Sequence, residues 1–291
     1  MKTAILYHDA DFDGLLSRDV CLHVHPNATP IGWDYGRPEP DLSEFSKIYI
    51  VDLSLPLATM ERYRDRIVWI DHHQTAIAQL EHLQLPGLRL DGVAACRLCW
   101  QFFFGSSAWK EGAYVDRLPT EPLLLTLAGE HDIWDHRDPR TKPLQFGLRA
   151  LNEDQWRELV RAEFLGQPSG LDRVIENGQL LEEYGAKQAF EYGAKNSHGL
   201  QWEGLYWQVL NTSFKGSGQF DSLTLGCHQG LFSWRFNGKN VEVSLYHAPG
   251  NTDRDLSAIA KKYGGGGHRG ACGFRLSLVQ LAAILEGKEK G

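Results

Sequence analysis

The stretch Ile5 to Ser17, ILYHDADFDGLLS, restricts the chain more than any other. A short apolar run of Ile5, Leu6 and Tyr7 has β character. It empties directly into Asp9, Asp11 and Asp13 at alternate positions, with His8 beside them and Gly14 closing the turn. Carboxylates this close repel one another. A solvated turn tolerates them, but at the mouth of a buried strand they cost stability unless a cation sits among them.

The same kind of strand end recurs. KIYIVDL (47–53) is a β-rich run that ends on Asp52, and RIVWIDHH (66–73) ends on Asp71, His72 and His73. LLLTLAGEHDIWDHRD (123–138) reads as an apolar helix that delivers His131, Asp132, Asp135 and His136. Strands ending in metal-ligand residues and separated by helix-length intervals suit an open parallel sheet, where ligands bind beyond the carboxyl ends of the strands. Oxygen donors with one or two imidazoles favour Mn²⁺ or Mg²⁺ over a metal that prefers thiolates.

Periodicity between these points predicts helices at 15–25 and after Pro56, with strands at 28–35, 47–53 and 66–70. That alternation predicts an α/β fold with a doubly wound parallel sheet. From Val93 the pattern becomes helical, over 94–104, 120–130, 143–151 and 153–164. Gly166 to Gly170 makes a clear break, 171–195 reads as a long connecting helix, and strands resume at Leu205. The expected organisation is a metal-binding domain at 1–170, a helical connector at 171–196 and a smaller α/β domain at 197–291.

The net charge of −7 argues against a protein that holds long nucleic acid through many phosphate contacts. Residues 235–291 are nonetheless net +4, which leaves the remainder at −11. An acidic metal-binding body with a basic end segment suits a small anionic substrate. The five cysteines are odd in number and scattered, so they do not read as a disulfide framework; Cys96 and Cys99 lie in an apolar run and read as core residues. With no signal-peptide core and no membrane-length apolar run, a cytoplasmic location is expected.

HDADFDG (8–14), VD (51–52), DHH (71–73) and HD (131–132) resemble, in that order, the four motifs of the DHH phosphoesterase family. YGGGGHRGACGF (263–274) resembles the glycine-rich motif of the DHHA1 domain that accompanies it. The resemblance implies an active site in the cleft between the two domains and two divalent ions, Mn²⁺ or alternatively Mg²⁺. Carried over residue by residue, Asp9, Asp11 and Asp52 hold one ion, and Asp13, Asp52, His72 and Asp132 hold the other. Many relatives have His where this chain has Asp9; alternate-residue spacing favours Asp9 over His8. Two such ions ~3.5–4 Å apart activate water and clamp the oxygens of an in-line displacement, so no serine or cysteine nucleophile is needed. His73 resembles the histidine that touches the substrate phosphate, and Asp71 is expected to orient an imidazole.

In relatives the glycine-rich region binds the part of the substrate away from the scissile bond, which assigns Gly265, Gly266, Gly267, His268 and Arg269 to substrate binding. Where relatives often carry arginine after a Ser-Leu pair, this chain has Tyr246 after Ser244 and Leu245. Within the family, the acidic charge and the absence of a preceding sensor domain favour hydrolysis of short 5′-phosphorylated oligoribonucleotides, above all dinucleotides such as pGpG, to mononucleotides. Phosphatases of 3′-phosphoadenosine 5′-phosphate, cyclic-dinucleotide phosphodiesterases and RecJ-like exonucleases are alternatives, and a catalytically inactive nucleotide sensor is the alternative of another class. The complete set of Asp and His ligands favours an enzyme. A homodimer is left open. Trp33, Tyr35, Trp134, Phe146, Trp202 and Trp207 carry faces on which a base can stack, but aromatic residues build cores more often than platforms, so none is assigned.

Overall fold

Residues 2–105, 118–212, 220 and 228–287 are described by the structure, a computed structural model. The chain divides within one long helix into two compact units, Met1–Leu181 and Glu182–Gly291.

The first unit opens with β1 (Thr3–His8), α1 (Phe12–Val24), β2 (Thr29–Trp33) and β3 (Lys47–Val51). After these come α2 (Leu57–Arg62), β4 (Ile67–Ile70), α3 (Gln74–Leu80), α4 (Ala95–Phe104), α5 (Leu123–Asp132), α6 (Thr141–Arg149) and α7 (Glu153–Phe164). The four strands are all parallel, in the order β2-β1-β3-β4. Alternate strand residues enter opposite cores. Ile5, Val51 and Ile70 pack with α1, α4 and α5, whereas Leu6, Ile50 and Trp69 pack with Met60 of α2 and Leu80 of α3. Helices on both faces make the sheet doubly wound, and they explain why its strands read as unbroken apolar runs.

Two local features depart from the periodicity. Helix α1 starts at Phe12 rather than Leu15, because the Asp11 carboxylate accepts from the Gly14 amide at 3.0 Å and caps the helix there. Helix α3 follows His73 directly, where no helix is predicted. The CxxC pair lies in α4 with both residues fully buried, as core cysteines do; Cys227 lies outside the described residues.

Helix α8 (Leu171–Asn196) leads to β5 (His198–Trp202), β6 (Leu205–Asn211), β7 (Gly230–Phe236), β8 (Val241–His247), α9 (Leu256–Lys262), β9 (Gly266–His268), β10 (Ala271–Leu276) and α10 (Leu278–Leu285). The second sheet has the order β5-β6-β7-β8-β10-β9, with β6 and β7 parallel and the other pairs antiparallel. Its strands alternate. Val241, Val243 and Leu245 of β8 join the core with Leu256 and Ile259 of α9, while Glu242, Ser244 and Tyr246 stand on the other face. Among the described residues, no helix is long and apolar enough to cross a membrane.

Candidate metal centre

Four chain segments meet at the carboxyl ends of the first sheet. His8 is the last residue of β1, Asp52 follows β3, and Asp71 to His73 follow β4. Asp132 ends α5. Gly14 permits the approach of α1 to this edge, because a Cβ at that position would lie 1.9 Å from the His8 carbonyl oxygen. Asp52 has φ of +59°, a left-handed conformation that asparagine and aspartate tolerate better than other side chains but still at some cost.

Among the described residues, three overlapping groups of possible ligands result: His8 with Asp11 and Asp52; Asp13 with His72 and Asp132; and Asp52 with His72 and His73. His72 Nε2 lies 3.6 Å from Asp13, 3.4 Å from Asp52 and 3.4 Å from Asp132. His8 Nδ1 lies 3.0 Å from Asp11 and 3.5 Å from Asp52. Asp52 therefore belongs to both a His8 cluster and a His72 cluster.

Asp9 does not join either cluster. Its carboxylate pairs with Arg37 at 2.6 Å, and the His8 ring stands where Asp9 is expected. The expectation assumed an extended chain through Asp13. Once Asp11 caps α1, the side chains after His8 follow helical geometry and alternate-residue spacing no longer sorts them. Sequence reasoning also misses Asp34, which contacts His8 Nε2 at 3.3 Å and so orients that ring. Nor does it find the Ala95 and Cys96 amides at the start of α4, which donate to Asp13 at 2.8 and 2.7 Å. Asp71 accepts from the His72 and His73 amides and meets His73 Nδ1 at 2.7 Å, holding that ring in place.

The electrostatics suit a divalent cation. Burial, together with mutual repulsion, pushes the carboxyls of Asp13, Asp52 and Asp132 up to about 7. Burial opposes a charge on His8, yet Asp11 and Asp52 push it up to about 11. The Asp71 hydrogen bond pushes His73 up to about 9. Among the described residues, the buried Asp52 Oδ2 makes no hydrogen bond and has the His8 Nδ1 at 3.5 Å, an arrangement that a bound cation would satisfy. The donor set of hard oxygens and imidazoles therefore fits divalent metal of the Mn²⁺ or Mg²⁺ kind.

A pH prediction follows. Raised carboxyls and raised histidines both bind more protons in the folded chain than in the unfolded one, so each loses stability as pH climbs. The carboxyls act between about pH 4 and 7, His73 between about 6.5 and 9, and His8 up to about 11. His131, lowered to about 4 by burial and His136, acts in the opposite sense but only below pH 6.5. Chelator-treated protein should therefore melt several degrees lower at pH 9 than at pH 6. Mn²⁺ should remove that slope and release protons on binding, measured by calorimetry in buffers of different ionisation enthalpy.

The residues expected to bind substrate in the second unit are divided. A cavity of about 590 Å³ is lined by Ser233, Arg235, Ser244, Tyr246, Gly265 and Arg275. Gly266, Gly267, His268 and Arg269 stand outside it: residues 266–268 are taken into β9, and the Arg269 guanidinium donates to the Asp253 carbonyl at 2.5 Å. Beside Tyr246 the same cavity holds the Arg235–Glu242 ion pair. Arg235 and Arg275 both register with Glu242 on the neighbouring strands, two residues from Ser244 on the same face.

No family model matches the chain. An uncharacterised protein of Acanthamoeba polyphaga mimivirus is 25% identical over 229 residues, 72% of this chain; the chain spans 48% of the length of that curated relative. Solved structures are similar at the level of the fold. A pGpG-specific phosphodiesterase from Vibrio cholerae superposes with a TM-score of 0.51 at 14% identity, covering 98% of this chain and 96% of its own. The DHH domain of a protein described as belonging to a family of ribosomal proteins gives 0.55 at 14%, covering 99% and 85%. Exonuclease RecJ bound to manganese gives 0.50 at 14%, covering 99% and 89%. The fold is that of the DHH-domain proteins, with a parallel sheet in one unit and a second sheet in the other.

Proposed function

We propose that this chain is a metal-dependent phosphodiesterase that hydrolyses short 5′-phosphorylated oligoribonucleotides, dinucleotides such as pGpG above all, to mononucleotides. The observation that carries the reading is the pair of ligand clusters sharing the buried Asp52, assembled at the sheet edge where an open parallel sheet binds its ligands. His8, Asp11 and Asp52 would hold one divalent ion, and Asp13, Asp52, His72 and Asp132 the other. Such a pair supplies an activated water and charge neutralisation at phosphorus. His73, held in place by Asp71, would donate to a phosphate oxygen and to the charge that develops on it.

The choice of a short substrate is supported by the net charge of −7, which does not suit a long polyanion. It is also supported by the likeness to a phosphodiesterase described as specific for pGpG. In the second unit, Arg235 and Arg275 line a cavity with Glu242, which pairs with Arg235 and lies 4.0 Å from Arg275; a terminal phosphate would bind there by taking the place of that carboxylate.

The test is Mn²⁺-dependent hydrolysis of a 5′-phosphorylated RNA ladder from two to about seven nucleotides, run beside 3′-phosphoadenosine 5′-phosphate, because a preformed cavity accepts ligands only up to its own size. The expected result is fast turnover confined to the shortest RNAs. Equal rates along the ladder would make the protein an exonuclease with an open channel, turnover of the mononucleotide alone a phosphatase, and binding without turnover a sensor.

A further inference from the structure

Helix α5 ends on Asp132, and the chain leaves it through Trp134, whose φ is +58°. The Trp134 amide donates to the His131 carbonyl at 3.1 Å and the Asp135 amide to the Glu130 carbonyl at 2.8 Å, so Trp134 occupies the left-handed closing position of the helix. Glycine or asparagine fills that position with the least strain. A tryptophan there is unfavourable for the backbone, and this one leaves 76% of its surface exposed. Its ring lies beside His131 at 6.3 Å and 25°, and edge-on to His136 at 5.6 Å. Packing does not account for an indole in this place. Its position does: Trp134 lines a cavity of about 380 Å³ that also holds Asp11, Asp13 and Asp132.

Arg149, the last residue of α6, lines the same cavity. Its guanidinium lies over the rings of Phe12 and Phe146, at 5.6 and 5.8 Å, and donates to the Gln145 carbonyl. Among the described residues it forms no ion pair, although the carboxylates of Asp9, Asp11, Asp13 and Asp132 line the same cavity. Desolvation holds it below its ordinary value. A cation without a carboxylate partner, placed across from an acidic metal centre, is matched by an anion that reaches both.

We infer that Trp134 and Arg149 form a subsite for one nucleotide on the first unit, Arg149 pairing with its phosphate and Trp134 stacking on its base. The inference rests on the proposed phosphodiesterase reading and assigns the residues that read the nucleotide nearest the ions. The cavity volume lies at the lower end of the range for small-molecule sites, which suits a single nucleotide. Stacking uses a face that every base has, so this subsite selects for the presence of a base and not for its identity.

Calorimetric titration of the Mn²⁺-loaded protein with guanosine 5′-monophosphate and with ribose 5-phosphate tests the subsite. Trp134→Gly should weaken the nucleotide about ten-fold and leave the sugar phosphate unchanged, while Arg149→Met should weaken both alike. Glycine suits the left-handed position, so Trp134→Gly should also raise the melting temperature, which excludes misfolding as the cause. For pGpG, KM should rise about ten-fold in Trp134→Gly with kcat little changed. Nucleotide affinity in Trp134→Gly equal to that of the wild type would overturn the inference. A wild type that hydrolyses no diester would overturn the functional reading instead, and the titration would still decide the subsite.

Discussion

Asp52→Asn should abolish hydrolysis, and its metal-free form should be no less stable than the metal-free wild type. Asp52 is 2% exposed and stands in both ligand clusters, 3.5 Å from His8 and 3.4 Å from His72. Asparagine keeps the size and tolerates the left-handed backbone, so the change isolates the charge. Without the shared carboxylate neither cluster keeps its full donor set. Turnover should fall at least about 10³-fold, on the scale of losing one group that stabilises charge in a transition state. The same substitution removes an acid that burial, with the repulsion of Asp11 and Asp132, pushes up to about 7. Relief of that burial should offset or exceed any lost packing, by roughly 1–3 kcal/mol above pH 7. The checks are steady-state kinetics and thermal melts with and without Mn²⁺. The wild type should gain stability from the ion and the variant should not. Unchanged turnover, or a variant that Mn²⁺ stabilises as strongly as it does the wild type, would remove Asp52 from the centre.

Arg97→Met should destabilise the first unit more than any surface change. Arg97 lies on α4 and meets Glu121 at 2.7 Å, with side chains 3% and 0% exposed. Thr126 also donates to Glu121, and Gly129 leaves room for the arginine stem, since a Cβ there would lie 2.6 Å from its Cδ. Methionine retains the stem but strands the buried carboxylate, which costs about 3–5 kcal/mol when one partner of such a pair is removed. For a unit of this size that corresponds to a fall of ~6–20 °C in Tm. Arg97→Met with Glu121→Leu should recover most of the loss, because two apolar groups of similar volume need no partner. Helix α4 supplies the amides that hold Asp13, and α5 carries Asp132. The single variant should therefore also bind Mn²⁺ more weakly, measured by titration below the melting range.

The order of the elements was legible because periodicity depends on local residues. Apolar runs at 47–51 and 67–70 form the expected strands, and the helix at Glu153–Phe164 starts and stops where its capping residues place it. Where a motif lies on a strand end, its position in the sheet follows, and so Asp13, Asp52, His72 and Asp132 are brought together as the sequence suggests. What fails is rotation about the chain. Asp9 and His8 are neighbours, and only the helix cap at Asp11 decides which of them turns toward Asp52 and which toward Arg37.

The glycine-rich motif shows the same division. Its composition announces a close backbone approach, but pairing of residues 266–268 with β10 carries His268 and Arg269 away from the cavity, while Arg235 and Arg275 reach it from distant positions in the chain. Trp134 stands out in sequence only as one aromatic among several; its left-handed backbone and exposure distinguish it. Residue type and spacing determined by themselves that this chain would place carboxylates and imidazoles at the ends of buried parallel strands, because backbone pairing and apolar burial leave strand ends as the place where such groups can collect. The tertiary structure alone decided which atoms face one another, because facing depends on caps, on register and on side chains contributed by segments far apart in sequence, and short-range patterns carry none of these.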